Sequence, residues 1–461
     1  MSKGLRAAIL GLALIITSVT AVWSQGQRPA QSPYLAPPVN VVAVRAGRMF
    51  DAKTGTMLNN QIILIRGDKI AEIGPSVSIP PDAQVIDLSN ATVLPGMIDA
   101  HVHNAGRGDS VEMKTMVMVQ SAERDLQAGF TTTVDMDSRG GFGTVELRNA
   151  INEGLVRGPR MQVVGQSLNQ RASGPYPNPG PGFYSDYTES KNINGPWLAR
   201  AAVRESKLHG TDWVKIYTTQ DFVGEDLNEF KPDGSLVASP SLTFEEVQAI
   251  VDEAHRLGLK VACHTYGGEG MRSCINAGVD LSMHVTEIYK DDALISTLLQ
   301  KKLPIMVTID DLVGLHNGDR RLLTELGFTG DKIVTRFDMA VLTFKKLLKA
   351  GVPLVFGSGA VAGDGAFPHG HQADQFAYMV KWGMTPAQAL QSTFIGSANV
   401  LNFNWANRVG TLEKGKFADV IAVSGNPLTD ITEMERIKFV MKGGVVFKND
   451  LQSRPQATAS R

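Results

Sequence analysis

Residues 92–103 read Thr-Val-Leu-Pro-Gly-Met-Ile-Asp-Ala-His-Val-His, and the rest of the chain is organised around them. Val93 and Leu94 favour extended backbone, Pro95-Gly96 punctuates, and Met97–His103 reads as a short strand. Side chains alternate across a strand, so Asp99, His101 and His103 are expected on one face and Ala100 and Val102 on the other. Two imidazoles two residues apart can hold a divalent cation from the same side. A bare His-x-His is more often a pair of satisfied polar residues under a sheet. Its weight here comes from further histidines and a lysine at the ends of later strands.

Outward from this stretch, two textures alternate. From Val39 to about Val93, β-type runs are broken by Gly47, Gly55, Gly67-Asp68 and Pro80-Pro81-Asp82. A similar texture returns only in KFADVIAVSG (416–425) and RIKFVMKGGVVFKND (436–450), where Gly443-Gly444 fits a tight hairpin. The economical reading is a small β-sandwich domain built from both ends, residues 39–92 and 405–449, with residues 93–404 inserted between.

Inside the insert, apolar strands are expected at Val93–His103, Phe130–Asp135, Met161–Gly165, Trp213–Tyr217, Lys260–His264, Leu281–His284, Pro304–Thr308 and Pro353–Gly357. Helical stretches separate them. Thr243 with Glu246 forms a capping-box signature, Gly258 closes that helix, and Thr385-Pro386 repeats the start signal. Eight strand–helix units predict an α/β architecture, a TIM-type (β/α)8 barrel, whose site lies at the C-terminal ends of its strands. His101 and His103 end the first strand, Lys215 the fourth, His264 the fifth and His284 the sixth. Four of the nine histidines therefore meet at one mouth. His209 and His255 read as solvated helix surface; His316 lies on a helix or loop, and His369 and His371 follow the eighth strand.

Composition narrows the partners. At 461 residues, 43% hydrophobic and 20% charged, the chain has an ordinary globular make-up, and a formal net charge of −1 argues against nucleic acid or an anionic membrane surface. Lys3 and Arg6 precede an apolar run, Ala7–Val22, so residues 1–24 read as a secretory signal peptide cleaved near Ser24. That places the mature protein in the periplasm or outside the cell, without a stable membrane anchor. Residues 25–38 read as a flexible leader and 450–461 as a flexible tail. Two cysteines, Cys263 and Cys274, make no disulfide scaffold. Cys263 points away from the face carrying His264 and reads as a packing residue; whether it bonds Cys274 is open.

The motifs LPGMIDAHVH, AGFTTTVDM, DWVKIY, VACHTYG, LSMHVTEI, PHG, WGMTPAQAL and VGTLEKGKFADVIAVSGNPL resemble those of the amidohydrolase superfamily. The likeness is to its imidazolonepropionase-like and Xaa-Pro-dipeptidase-like metal-dependent hydrolases, and it covers Val41 to Asn449. The resemblance implies two divalent metal ions, zinc by default. His101 and His103 would hold one, His264 and His284 the other, and Lys215, carboxylated by CO2, would bridge them. Burial favours the neutral amine that captures CO2, and the resulting carbamate offers one oxygen to each cation.

The sequence also departs from the family, which carries an aspartate at the end of the eighth strand to handle the water's proton. Residues 355–370 read VFGSGAVAGDGAFPHG, with Gly359 at that place and Asp364 the nearest carboxylate. Three accounts compete: Asp364 or a metal-bound hydroxide takes the proton, the favoured one, with Asp364 as the catalytic base; the site holds only one well-bound metal; or hydrolysis is lost and ligand binding kept. Residues 169–195 form a Pro/Gly-rich loop whose aromatics suit an apolar substrate; Arg171 could meet a carboxylate, and Tyr217 and His369 could line the pocket. The reaction implied is hydrolysis of a C–N bond in an amide, dipeptide-like or cyclic amide substrate. The reading from another class is a catalytically impaired periplasmic metal- or ligand-binding protein. The chain could also assemble as a homo-oligomer.

Overall fold

The computed structural model describes residues 32–106, 110–170, 190–219, 231–235, 240–309, 324, 334–363 and 368–451. The expected signal peptide, most of the leader and tail, Arg171 and Asp364 lie outside the described residues. Strands β1 (Val41–Asp51), β2 (Thr56–Arg66), β3 (Lys69–Gly74) and β4 (Gln84–Pro95) come first. They are followed by β5 (Met97–His103), β6 (Phe130–Asp135), β7 (Arg160–Val163), β8 (Ser167–Gln170), β9 (Ser190–Ile193), β10 (Trp213–Tyr217), β11 (Lys260–His264), β12 (Leu281–Met283) and β13 (Ala360–Val361). The last are β14 (Val420–Val423), β15 (Phe439–Lys442) and β16 (Val445–Asn449).

Both ends of the chain enter one sheet, in the order β16-β15-β14-β4-β1-β2-β3. The strand β4 lies parallel to β1 and antiparallel to β14. At the far edge, Ile70 N donates to Lys416 O at 2.9 Å and Gly415 N to Ile70 O at 2.8 Å, so the sheet curls back toward its own late segment. Val42, Val44, Ile63, Ile65, Val420 and Phe439 form the apolar core of this unit. Gly443 and Gly444, at φ 54° and 76°, make the β15–β16 turn, which needs left-handed backbone at both central positions.

The intervening residues carry parallel contacts through eight successive segments. From β5 they pass to β6 and β7, then through Asp212 N to Val163 O at 2.8 Å toward β10, and on to β11 and β12. Single parallel bridges at Ile305 and Leu354 follow, and β13 returns to β5. Helices alternate with these segments. In Phe244–Arg256 the Thr243–Glu246 capping box is present, and Val247, Ile250 and Ala254 pack against the outward side chains Val214, Ile216, Val261 and Cys263. The inward side chains Trp213, Ala262, Met283 and Met306 pack with Ile98 and Ala100.

Three local features differ from, or add to, the sequence reading. Between the pairs Asp99↔Thr133 and Val102↔Asp135 the strand β5 advances three residues against two on β6. This bulge breaks the strict alternation: Ile98 and Ala100 face the inner core, and Asp99 turns toward Ser358. The loop expected from residue 169 begins and ends as strand instead, with β8 parallel to β9 and pairing β10 at Ile216↔Leu168. Finally, Cys263 and Cys274 form a disulfide that ties β11 to the helix Gly268–Ala277.

Candidate active site

Four imidazoles converge where β5, β11 and β12 end. The Nε2 atoms of His101 and His103 stand 3.2 Å apart. The His101 ring lies 4.7 Å from that of His284, which lies 4.3 Å from that of His264. All but His284 are buried, His101 completely. Desolvation of the rings, and after it the charge of neighbouring groups, holds His101 and His284 well below the usual imidazole range. Both therefore present the neutral form that donates a lone pair. His284 also sits at φ 62°, a left-handed backbone uncommon outside glycine and found where structure over-determines a functional position.

Lys215 is fully buried on β10, with Nζ against Met283 Sδ and 5.3 Å from the centre of the Tyr217 ring. Tyr217 extends the cluster sideways, its ring 4.7 Å from His264 and its hydroxyl donating to Asp137 Oδ2 at 3.3 Å. Asp137 Oδ2 also accepts from Ser167 Oγ at 2.9 Å and lies 3.6 Å from Arg139 Nη1. Thus β10 and the segments after β6 and β7 build one polar wall beside the histidines.

His369 does not line the front of this cluster, as a substrate contact would. It is 2% exposed, with Nδ1 2.7 Å from Asp125 Oδ1 and Nε2 3.1 Å from the backbone oxygen of His103. Its place is behind the first strand. Asp125 also accepts from Gln372, and Asn104 N donates to Asp135 Oδ2 at 2.8 Å. Burial raises the Asp135 carboxyl to about 7.

At the eighth segment Ser358 Oγ donates to Asp99 Oδ2 at 2.6 Å, and Gly359 N donates to His101 O at 2.8 Å with φ 76°. Burial again dominates at Asp99 and lifts its carboxyl to about 7. Sequence reasoning overlooked Asp125, Asp137, Arg139 and Ser358. For Asp137 and Arg139 a signal existed, since Met-Asp-Ser-Arg-Gly-Gly follows β6 at the mouth where the histidines end.

The donor set fits divalent ions. Two nitrogens bound at about 2.05 Å to one tetrahedral ion stand about 3.3 Å apart, close to the His101–His103 separation of 3.2 Å. The Nδ1 of His101 is buried with no hydrogen-bond partner among the described residues. Among those residues no three His, Cys, Asp or Glu side chains form a ready-made cation site.

Residues 92–447 match the amidohydrolase family, and the chain belongs to it. It is by that membership a hydrolase acting on carbon–nitrogen bonds. The ochratoxinase of Aspergillus niger is 27% identical over 433 residues, 86% of this chain and 84% of that protein. A crystal structure of a Xaa-Pro dipeptidase with methionine bound in its active site is similar at TM-score 0.73 and 29% identity, covering 89% of this chain and all of that one. A crystal structure of another amidohydrolase reaches TM-score 0.75 at 26% identity over 90% of this chain.

Proposed function

We propose that this chain is an exported, metal-dependent amidohydrolase that cleaves a small amide, dipeptide-like or cyclic amide substrate with a metal-activated water. The ring of parallel segments is read as a (β/α)8 barrel, residues 93–404, and the sheet from both ends as its β-sandwich partner, residues 39–92 and 405–449. The observation that carries the reading is the 3.2 Å separation of the His101 and His103 nitrogens, backed by His264 and His284 at the same mouth. In this assignment His101 and His103 would hold one ion and His264 and His284 the other. Zinc suits an imidazole set.

When bound, such ions activate water and polarise a scissile carbonyl. The chain's own residues supply the rest. Lys215, buried against Met283 Sδ, would exist as the neutral amine; its nitrogen would add to CO2 with loss of a proton, and the carbamate so formed would supply oxygen donors beside the two His pairs. Tyr217 packs on His264 and limits how that ring turns. Gly359 brings no carboxylate to the mouth, so Asp364 is assigned the water's proton. Similarity to a Xaa-Pro dipeptidase supports a dipeptide-like substrate.

The test joins metal analysis to turnover. Purified protein is measured for bound zinc, manganese, cobalt and iron, then assayed before and after chelation on a panel of N-acyl amino acids, dipeptides and lactams. About two equivalents of metal and chelator-sensitive hydrolysis are expected. Hydrolysis that survives complete metal removal would overturn the metal-dependent reading.

A further inference from the structure

The turn that carries His264 is closed into a covalent ring. Cys263 precedes His264 directly, Cys274 lies inside the helix Gly268–Ala277, and their disulfide encloses the residues between them. His264 is inside that ring, and so is Tyr266, whose side-chain ring lies 5.0 Å from the imidazole. One of the four clustered histidines therefore belongs to a segment tied at both of its ends.

The segment needs a tie, because its helix starts weakly. Gly267 caps it without a side-chain hydrogen bond, and Gly268 and Gly270 fill two of its first three positions. Glycine is among the poorest helix formers. Both glycines are nonetheless required. Gly268 takes φ 62°, a left-handed backbone that glycine adopts at no steric cost. At position 270 a Cβ would overlap the carbonyl oxygen of Thr218, so only glycine lets the helix approach the end of β10 this closely.

The disulfide lies at that same contact. Thr218 Oγ1 stands 3.2 Å from Cys263 Sγ and 3.5 Å from Cys274 Sγ, and it donates to His264 O at 3.2 Å. Thr218 N donates to the same oxygen at 3.1 Å. One residue thus touches both sulfurs and holds the backbone of the histidine. Both cysteines are fully buried, out of reach of a reductant in the folded chain, so their state is set while the chain folds. Opening the bond takes two electrons and two protons from a dithiol, which becomes its own disulfide, and leaves two thiols.

We propose that the Cys263–Cys274 disulfide is a positioning element for His264: a chain folded without it holds that turn loosely and binds the ion assigned to His264 and His284 more weakly. The effect on the ion rests on the metal-dependent reading; the hold on the turn does not.

The experiment compares the full chain in three folded forms: oxidised wild type, wild type refolded under excess dithiothreitol and kept anaerobic, and Cys263→Ala with Cys274→Ala. Ile63→Ala, a core truncation in the sheet built from both chain ends, controls for lost stability alone. Zinc titration against a chromophoric chelator should show one of two ions weakened by about tenfold or more in both open forms, the other unchanged. Hydrogen exchange in the metal-free chains should be several times faster at residues 264–273 and unaltered in β5. Equal affinities and equal exchange in open and closed forms, or the same losses in Ile63→Ala, overturn the inference. If oxidised wild type takes up no zinc but exchange quickens only at residues 264–273 in the open forms, the positioning role stands and the metal-dependent reading fails instead.

Discussion

His369 and Asp125 form a fully buried pair, Nδ1 to Oδ1 at 2.7 Å, whose other ring nitrogen meets the backbone oxygen of His103. Residues 244 positions apart in sequence thereby fix the end of β5 from behind. His369→Ala strands Asp125 as a buried, half-paired carboxylate, a change that typically costs about 3–5 kcal/mol. We expect a marked drop in melting temperature and weaker metal retention in chelator competition. Unaltered retention would confine the pair to a purely global structural role.

His101→Ala, His103→Ala, His264→Ala and His284→Ala should each lower bound metal and abolish turnover while circular dichroism stays native. Each removes one donor from a cluster at the strand ends and leaves the apolar layers intact. Lys215→Ala should lose the carbamate oxygens proposed for that residue, and added short carboxylic acids should restore part of the activity. Full metal content and activity in any two histidine variants would sink the two-ion assignment.

Asp364→Asn should reduce kcat about a hundredfold or more, the usual loss when a positioned proton acceptor is removed. Gly359→Asp is the complementary variant. Its backbone lies at φ 76°, so the new side chain carries about 1–2 kcal/mol of strain, tolerable for aspartate. Wild-type kcat in Asp364→Asn removes that residue from the mechanism. Activity gained only in Gly359→Asp would mark the natural chain as a binder.

Cys263→Ala with Cys274→Ala should lower stability by about 2–3 kcal/mol, the bond closing a separation of 11 residues. Denaturant titration of the double variant, compared with oxidised wild type, measures it. No difference would mean that the thiols pack equally well unlinked.

Lys442 gives a pH signature. Burial lowers its pKa to about 7 from the ordinary 10.5, and its ammonium donates to Gly158 O. Between pH 7 and 10.5 the unfolded chain holds this proton more strongly than the native one, so this group makes stability rise with pH across that window. Lys442→Met should flatten that slope and raise stability at pH 7 by about 1 kcal/mol or more. An unchanged slope would show that the ammonium finds water in the native state.

Much of this organisation was legible because local patterns and global fold agree. The strands β6, β10 and β11 fall on their expected residues, since each is rich in β-branched, aromatic or apolar residues and is bounded by turn residues or helix starts. The Thr243 and Thr385 caps were readable for a similar reason, their chemistry spanning only four residues. The features that stayed hidden depend on contacts between distant residues. The bulge at residues 99–102 arises from pairing with β6, and it turned Asp99 away from the histidine face. His369 was expected toward substrate because nothing near it in sequence announces Asp125.

The placement of β14 beside β4 also sets an order of events during synthesis. Leu94 pairs with Ile421, more than three hundred residues later in the chain. At roughly 5–20 residues per second, the ribosome needs about 15–65 seconds to deliver that partner. Until then the edge of β4, with Val93 and Leu94, is an open template for stray strands. A nascent chain stalled before Val420 therefore carries an unmatched edge, and its fate depends on what holds that edge while translation finishes.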